Sequence, residues 1–304
     1  MSFSVIGVGE VLWDLLASGP QLGGAPANFA YHAHALGANS QVITRVGDDG
    51  HGREIFRRFD ELTLPVSGIQ VDPNAPTGTA TVTVAADGMP HFVIQENVAW
   101  DYLAAAPGAL AAVRAADAIC FGSLAQRSKT SRDRIQQLVA SSPPTALRVF
   151  DVNLRQHYYS REVIEESLRL SNVFKLNDDE LRTLAEMFGF TGSTEDQMKE
   201  LTLRFNQRVV ALTRGPDGSL LYAEGRWSDC RCRPVAVVDT VGAGDSFTAT
   251  LVVGLLHKMD VDEINALANE VACYVCSHPG ATPVLPAEFA ERLRSASLQG
   301  NRGQ

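Results

Sequence analysis

Short apolar runs alternate with amphipathic stretches along most of the chain. The apolar runs cover residues 3–9, 41–47, 117–122, 147–153, 171–177 and 208–215. Amphipathic segments follow or separate them at residues 25–36, 129–141, 161–171 and 178–188. Short buried strands separated by helices are typical of βαβ units, whose strands run parallel in one sheet. The pattern therefore predicts an α/β fold with a mostly parallel sheet.

One segment departs from this rhythm. In residues 77–97, apolar and polar positions alternate with period two around a turn at Asp87-Gly88. This alternation predicts an antiparallel hairpin, because successive strand residues face opposite sides of a sheet. Since the hairpin is attached to a parallel core, we expect it to form a flap over a cleft.

Composition limits the function classes. The chain has 304 residues, of which 45% are hydrophobic and 20% are charged, as expected for a globular protein. Its net charge of -9 argues against a nucleic-acid binder, which needs a basic face. We find no apolar run long enough to span a membrane and no basic segment typical of a signal peptide, so a cytoplasmic location is expected.

The five cysteines are predicted to be reduced thiols, because their number is odd and the chain is large for a disulfide-based fold. Two close pairs occur, Cys230 with Cys232 and Cys273 with Cys276. A structural zinc site needs four ligands with matching spacing, and the second pair lies in an apolar helical stretch. No metal site is therefore predicted at these cysteines.

Polar and glycine residues follow four of the apolar runs. They are Gly122, Ser123 and Arg127 at or just after the end of run 117–122, Asp151, Asn153 and Arg155 at or just after the end of run 147–153, Asn177 and Glu180 at or just after the end of run 171–177, and Thr213, Arg214 and Gly215 at the end of run 208–215. Ligands of open parallel sheets bind beyond the carboxyl ends of the strands. These residues are therefore expected to line one shared site.

The most informative motif is DTVGAGD at residues 239–245. The apolar stretch that follows predicts a buried helix beginning near Ala243. Amide groups of Gly242, Ala243 and Gly244 would then form an anion cradle suited to phosphoryl transfer. Asp245, in the first helical turn, would accept a proton from an attacking hydroxyl. A capping turn without a ligand is the structural alternative.

This motif resembles the second signature of the ribokinase-like (PfkB) carbohydrate kinase family. Four further segments resemble family motifs in the same order: the first signature at 23–28, the glycine and acid turn at 47–52, the N-x-x-E motif at 177–180 and the adenine-side segment at 268–281. The resemblance covers almost the whole chain. It implies a ribokinase-like three-layer αβα core with a mostly parallel sheet. It also implies that residues 1–304 form a single kinase domain, with a small β lid built from about 10–24 and 76–100.

The resemblance also implies the residues of a sugar site. Asp14 would hydrogen-bond sugar hydroxyls, helped by Gly24 and Asn28, while Asp245 acts as the base. Asn153 would contact the substrate, and His91 or Phe92 of the hairpin would lie over the sugar. A turn carboxylate is the structural alternative for Asp14.

For the nucleotide side, the resemblance implies ATP and Mg²⁺. Asn177 and Glu180 would organise Mg²⁺ and its waters, since Mg²⁺ keeps several waters and uses few carboxylates. Thr213, Gly215 and Gly218 would border the nucleotide, and Asn269 the adenine. A helix cap at Asn177 and an ordinary turn at 213–218 are the structural alternatives.

Many members of the family that the chain resembles also bind a monovalent cation such as K⁺ beside the anion cradle. The candidate carbonyls belong to Asp239, Val241, Val275, His278 and Gly280. Ser277-His278 stands where relatives often have Thr-Arg.

The segment DVNLR at 151–155 resembles the D-x-N-x-R run of fructokinases and 2-keto-3-deoxygluconate kinases. Segments 96–101 and 122–128 look like bacterial fructokinase segments. Arg155 would clamp the transferred phosphoryl group or a substrate oxygen, with a surface salt bridge as the alternative. The expected reaction is phosphorylation of fructose to fructose 6-phosphate. 2-Keto-3-deoxygluconate kinase and ribokinase are the rival activities, and a homodimer through the lid is implied.

Two other classes deserve comparison. Gly7-Val8-Gly9 after the first strand suggests a dinucleotide-dependent oxidoreductase, but Leu12 occupies the position of the third glycine. A kinase-like sensor would bind sugar without turnover. Asp245 and the glycines of the anion cradle argue against that interpretation.

Overall fold

The structure of the chain, a computed structural model, describes residues 2–16, 19–84, 90–104 and 106–300. Within these ranges it leaves out the side chains of 82–84, 90–92 and 296–300. The predicted turn at Asp87-Gly88 lies outside the described residues, as do the side chains of His91 and Phe92.

The described residues form thirteen strands and ten α-helices. The strands are β1 (Ser4–Val8), β2 (Leu12–Leu16), β3 (Gly19–Gly23), β4 (Asn39–Gly47), β5 (Ile69–Asp72), β6 (Gly78–Val84), β7 (Pro90–Ile94), β8 (Ala118–Phe121), β9 (Leu147–Asp151), β10 (Val173–Asn177), β11 (Val209–Thr213), β12 (Ser219–Ala223) and β13 (Arg226–Cys230). The helices are α1 (Ala25–Ala35), α2 (Gly50–Glu61), α3 (Pro107–Arg114), α4 (Lys129–Ala140), α5 (Arg161–Leu170), α6 (Asp178–Phe188), α7 (Thr194–Phe205), α8 (Ala243–Leu256), α9 (Val261–Cys276) and α10 (Ala287–Gly300).

The larger sheet has the strand order β13-β12-β11-β10-β9-β8-β1-β4-β5. From β11 to β5 each neighbouring pair is parallel, whereas β12 and β13 add antiparallel strands at one edge. The mostly parallel sheet predicted from the sequence is confirmed. The six apolar runs correspond to β1, β4, β8, β9, β10 and β11.

Helices cover both faces of this sheet and form separate apolar cores. One core gathers side chains of α1, α8, α9 and α10, including Phe29, Phe247, Leu267 and Leu293. The other gathers side chains of α4 to α7, including Ile135, Ile164, Leu184 and Leu201. Burial of these side chains drives the packing, at roughly 25 cal/mol per Å² of apolar surface. The three-layer αβα arrangement is therefore confirmed.

A smaller sheet has the order β3-β2-β6-β7. Its β6–β7 pair is antiparallel, as the period-two alternation predicts, and β2–β3 is antiparallel as well. The central pair, β2 and β6, is parallel. The indole nitrogen of Trp13 on β2 donates to the carbonyl oxygen of His51 on α2 at 3.1 Å, which links this sheet to the helical layer.

The prediction that all five cysteines are reduced is wrong for one pair, because Cys232 and Cys273 form a disulfide across 41 residues. The chain leaves β13 and runs beside α9, which brings position 232 next to 273. Cys120, Cys230 and Cys276 are free thiols. Across the described residues, no three His, Cys, Asp or Glu side chains group in a way that could hold a metal ion.

No helix within the described ranges combines the length and the apolar character that crossing a membrane requires.

Candidate active site

The carboxyl ends of the parallel strands meet the N-terminus of α8 at one edge of the large sheet. Asp151 closes β9, Asn177 closes β10 and Thr213 closes β11. Asn177 lies opposite Thr213, and Lys175 lies opposite Asp151, in the strand registers. The structure thus brings the polar residues that follow these runs to a common edge, as parallel topology requires.

The residue that precedes helix α8, its N-cap Gly242, has to be a glycine. Gly242 has φ +79°, and a Cβ at this position would lie 2.4 Å from the carbonyl oxygen of Ala281. The sequence prediction of a helix from Ala243 is confirmed. Amide groups in the first turn of a helix have no intrahelical acceptor and attract anions. The amides of Gly242 and Gly244 point to the anion cradle that the motif predicts, whereas the Ala243 amide donates to the carbonyl oxygen of Thr240 at 3.3 Å and would have to exchange that bond for a ligand.

Asp245 lies in the first turn of α8, and its Oδ2 accepts a hydrogen bond from Asn28 Nδ2 at 2.8 Å. Burial raises the pKa of Asp245 to about 6, and the nearby charge of Asp151 adds to the increase. The Asn28 hydrogen bond, Lys175 and Arg155 act in the opposite direction. Such a carboxylate is mostly ionised at neutral pH and can still hold a proton transiently.

Close backbone contacts at α1 bring Asn28 to this position. Gly24 precedes α1 with φ +113°, and a Cβ there would lie 2.5 Å from the carbonyl oxygen of Glu10. A Cβ at Gly7 would lie 2.3 Å from the carbonyl oxygen of Pro26. β1 leads into β2 without a helix. Gly7 within β1 and Gly24 before α1 thus allow α1 to pack closely, which removes the reason to expect a dinucleotide-binding turn.

Asp14 projects from β2 of the small sheet and is half-buried. Gly23 lies beside it, where a Cβ would stand 2.4 Å from Asp14 Oδ2. Burial raises the pKa of Asp14, and Arg155 opposes that increase. Arg155 is exposed, and its Nη2 donates to Asn153 Oδ1 at 2.9 Å. Arg155 thus lies close enough to act electrostatically on both Asp14 and Asp245.

Asn177 and Glu180 form a capping box at the start of α6. Asn177 Oδ1 accepts from the Glu180 amide at 2.9 Å, and Glu180 Oε2 accepts from the Asn177 amide at 2.8 Å. Glu180 Oε1 accepts from the Leu154 amide at 3.1 Å. Each carboxylate oxygen keeps further acceptor capacity. Asn177 and Glu180 therefore cap the helix, which was the structural alternative for this motif. The remaining acceptor capacity of Glu180 suits contact with Mg²⁺ through water rather than direct ligation.

The residues predicted to border the nucleotide lie at the neighbouring strand end. Gly215 and Gly218 flank the turn between β11 and β12 with φ +53° and +90°. A Cβ at Gly218 would stand 2.0 Å from the carbonyl oxygen of Cys230, so this turn requires glycine. Asn269 is buried, and its Nδ2 lies 2.5 Å from Ser219 Oγ and 2.8 Å from the carbonyl oxygen of Asn265. Its amide nitrogen is thus committed to an internal network.

The predicted cation-site residues belong to two chain segments that meet. Asp239 Oδ2 accepts from the Gly280 amide at 3.1 Å, and Asp239 Oδ1 accepts from the Val241 amide at 3.0 Å. The Asp239 amide donates to the carbonyl oxygen of Cys276 at 3.2 Å, close in sequence to Val275. His278 Nδ1 lies 2.8 Å from the carbonyl oxygen of Tyr274. A monovalent cation at these carbonyls stays a prediction.

Two charged residues of the site escaped the sequence interpretation. Glu10, after β1, is 4% exposed, and its Oε2 has no hydrogen-bond partner among the described residues. Burial raises the pKa of Glu10 to about 7. Lys175, on β10, is also 4% exposed, and its Nζ lies 3.1 Å from Asp151 Oδ1. The available signal was a single charged residue, directly after the apolar run 3–9 for Glu10 and inside the run 171–177 for Lys175. A buried position tolerates such a charge only with a partner or a ligand.

The known proteins that resemble this chain include sugar kinases, both by sequence and by structure. The chain is 30% identical over 281 residues to a fructokinase of Salmonella typhimurium, covering 88% of this chain and 89% of that protein. A sugar kinase of Pyrococcus horikoshii, solved in complex with ATP, superimposes with a TM-score of 0.80 at 26% identity, covering 95% of this chain and 99% of the other.

A fructokinase of Vibrio cholerae, solved with fructose, ADP and calcium ion bound, has a TM-score of 0.80 at 23% identity, covering 96% of this chain and 99% of the other. At that identity the likeness shows the fold alone. The model of the pfkB family carbohydrate kinases matches residues 19–288, most of the chain. The chain therefore belongs to the pfkB family of carbohydrate kinases.

Proposed function

We propose that this carbohydrate kinase transfers the γ-phosphate of ATP to a hydroxyl of a free sugar, with fructose converted to fructose 6-phosphate. The observation that carries the proposal is the 2.8 Å hydrogen bond from Asn28 to Asp245 at the start of α8. It holds a carboxylate, ionised at neutral pH, beside an anion cradle. A base next to a phosphate-binding helix end is the arrangement that phosphoryl transfer to a hydroxyl requires.

In the proposed reaction, Asp245 accepts the proton of the sugar hydroxyl. The hydroxyl oxygen forms a bond to the γ-phosphorus, and the bond from that phosphorus to the β–γ bridging oxygen breaks. ADP leaves with the electron pair of that bond. Amide groups of Gly242, Ala243 and Gly244 would hold the charge that develops on the transferred group.

Two groups of residues would orient the sugar and the transferred phosphoryl group. Asp14, Gly24 and Asn28 would receive the sugar, with the amide oxygen of Asn28 buried and without a partner among the described residues. Arg155 would bind the transferred group or a substrate oxygen, supported by its bond to Asn153. Such fixed partners reduce the entropy that the encounter of sugar and phosphate would otherwise cost.

ATP would lie along Thr213, Gly215 and Gly218, with its adenine towards Asn269. Mg²⁺, when bound, neutralises charge on the phosphates, and its waters would be held by Asn177 and Glu180. The proposal also treats the chain as one kinase domain in which the small sheet closes over the sugar and excludes water. A homodimer through that sheet, binding of K⁺ beside the anion cradle and a cytoplasmic location are further predictions.

Fructose is proposed over other sugars because fructokinases occur among the relatives and because residues 151–155 resemble their D-x-N-x-R run. The test is ADP release from Mg-ATP with fructose, 2-keto-3-deoxygluconate, ribose, adenosine and fructose 6-phosphate, compared by kcat/KM. Highest kcat/KM with fructose is expected. A higher kcat/KM with another member of the panel would contradict the assignment of fructose as substrate but would support phosphoryl transfer from ATP. Saturable sugar binding without ADP release would instead indicate a sensor.

A further inference from the structure

We propose that the buried ion pair between Lys175 and Asp151 is a positioning unit of the phosphoryl-transfer site, in which Lys175 places a cation behind Gly244 of the anion cradle and Asp151 fixes that cation. The inference rests on the proposed function, because it takes the cradle to receive the phosphoryl group and Asp245 to be the base. It assigns a role to Lys175, which no family motif identified in the sequence includes.

The pair is fixed by the sheet itself. Lys175 on β10 and Asp151 on β9 are direct partners in the parallel register, and Nζ lies 3.1 Å from Oδ1. Their side chains are only 5% and 6% exposed. Removing two charges from water costs several kcal/mol per ion, and an apolar pair of similar size often gives equal or greater stability. Stability alone is therefore a weak explanation for this pair, and a role at the site accounts for it better.

A second bond connects the pair to α8. Asp151 Oδ2 accepts from the hydroxyl of Thr248 at 2.7 Å, so each carboxylate oxygen has its own partner. Thr248 lies one helical turn after Gly244, and the two residues share the face of α8 that meets the strand ends. Asp151 thereby holds the lysine and the helix in a fixed relation.

The absence of a side chain at Gly244 lets the ammonium approach the helix. A Cβ at Gly244 would stand 3.0 Å from Lys175 Nζ and 3.9 Å from its Cε. The N-terminus of a helix carries partial positive charge, so a buried cation beside it is electrostatically unfavourable. An anion held by the first turn of α8 would relieve this repulsion. The geometry thus favours a ligand with several negative charges, such as the phosphates of ATP.

The same pair acts on Asp245 with opposite signs. Asp151 raises the pKa of Asp245 and Lys175 lowers it. The other titratable, charged or hydrogen-bonding groups that face Asp245 or this pair are Glu10 after β1, Asn28 on α1, Cys120 on β8, Arg155 after β9 and Glu180 on α6. Opposite pKa changes in the two single variants would show that both charges act on Asp245, and the effect on kcat then separates a positioning unit from a purely structural pair.

The experiment compares Lys175→Met, Asp151→Asn and the double variant with wild type. The pKa of Asp245 is measured by ¹³C NMR of its carboxyl group without ligands, with the resonance assigned from Asp245→Asn. We expect Lys175→Met to raise this pKa and Asp151→Asn to lower it. In steady-state assays, Lys175→Met should lower kcat about 100-fold while the KM for the sugar changes by less than about threefold.

The double variant guards against misfolding, because it leaves no unpaired buried charge. The pKa of Asp245 in the double variant should lie between those of the single variants. Its kcat should stay low, because the ammonium group of Lys175 is missing. Lys129→Met is the matched control, since Lys129 is 80% exposed in a surface pair with Asp133 and should leave both readouts unchanged.

A folded Lys175→Met enzyme with kcat within about twofold of wild type would overturn the inference, as would pKa changes of Asp245 with the same sign in both single variants. Failure of wild type to turn over any sugar would instead count against the proposed function. The NMR measurement would still test the electrostatic action of the pair on Asp245 in that case, because it requires no substrate.

Discussion

The side-chain amide of Asn28 donates a hydrogen bond to Asp245 Oδ2 at 2.8 Å, and the two residues are separated by 217 positions in the sequence. This contact joins the start of α1 to the start of α8. Asn28 Oδ1 is buried without a partner among the described residues, so it is available to accept from a ligand. One amide can therefore orient the proposed base and bind a sugar hydroxyl.

Asp245→Asn should abolish most of the kinase activity. The substitution preserves the shape of the side chain but removes its capacity to accept a proton. A positioned general base contributes about 10²- to 10⁴-fold, so we expect a decrease in kcat of about 1,000-fold. ADP release under saturating sugar and Mg-ATP provides the measurement.

Asp133→Asn is the control for that substitution, because Asp133 lies on α4 with its side chain exposed. It should keep wild-type kcat. Turnover by Asp245→Asn close to that of wild type would show that another group takes the proton.

The rate should depend on the ionisation of Asp245. Its pKa is raised to about 6, and only the ionised form accepts a proton, so kcat should rise with pH through about 6 and then level off. The Asn28 hydrogen bond lowers this pKa. Asn28→Ala should therefore shift the acid limb of the kcat profile to higher pH. An unchanged limb, or a shift to lower pH, would contradict this account.

Periodicity was enough to predict the strands of the parallel core, since buried parallel strands form continuous apolar runs. It did not resolve β2 and β3, where Asp14 and Gln21 pair across a short, half-buried sheet with weak apolar patterning. It also did not reveal the disulfide between Cys232 and Cys273, because that contact depends on how the chain runs past α9.

The candidate site shows the same division. The apolar stretch after the motif at 239–245 predicted the helix start near Ala243. Gly242 is visible in the motif because its close approach to Ala281 requires glycine. Lys175 and Glu10 could not be assigned in this way. Their significance lies in what surrounds them, such as Asp151 on the adjacent strand, and no local pattern records a cross-strand partner.

Gly242→Ala should damage the anion cradle. The added Cβ would meet the carbonyl oxygen of Ala281 at 2.4 Å, and φ of +79° is strained for alanine, so we expect a loss of about 2 kcal/mol in the free energy of unfolding. Urea denaturation measures this loss, and kcat should fall with it.

Gly108→Ala is the matched control. Gly108 lies in α3, and a Cβ there would meet nothing within 4 Å. Alanine should be neutral or stabilising by up to about 1 kcal/mol at this position. Equal effects of the two substitutions would mean that the geometry of Gly242 has no special importance.

Glu10→Gln should change stability in a pH-dependent way. Burial raises the pKa of Glu10 from 4.5 to about 7, so the folded state binds its proton more tightly than the unfolded state does. Wild-type stability from this group is therefore lost as pH rises from about 4.5 to 7, by on the order of 3 kcal/mol. Glutamine does not titrate and avoids that loss.

The measurement is the difference in Tm between Glu10→Gln and wild type at pH 4 and at pH 8. Groups without contact to Glu10 titrate alike in both proteins, so the difference reports Glu10 together with its coupling to Asp245. We expect the variant to gain stability relative to wild type as pH increases. A difference that is the same at both pH values would show that the Glu10 carboxyl is not destabilised by burial.

Removal of Arg127 should be costly, because this residue forms a buried ion pair. Its Nη2 lies 2.8 Å from Asp101 Oδ2, with side chains only 7% and 6% exposed. The guanidinium carbon lies 3.9 Å from the ring centroid of Trp100 and 4.7 Å from that of Tyr158. Arg127→Met would leave Asp101 as a buried, unpaired charge, which costs about 3 to 5 kcal/mol in the free energy of unfolding.

Arg182→Met provides the comparison, because Arg182 and Asp179 form an exposed pair whose loss should cost less than about 1 kcal/mol. A further variant separates charge from packing. Arg127→Met combined with Asp101→Asn leaves no buried charge, so it should recover part of the stability lost in the single variant. Recovery would assign the loss to the unpaired carboxylate of Asp101, whereas no recovery would assign it to the contacts of Arg127 with the two aromatic rings.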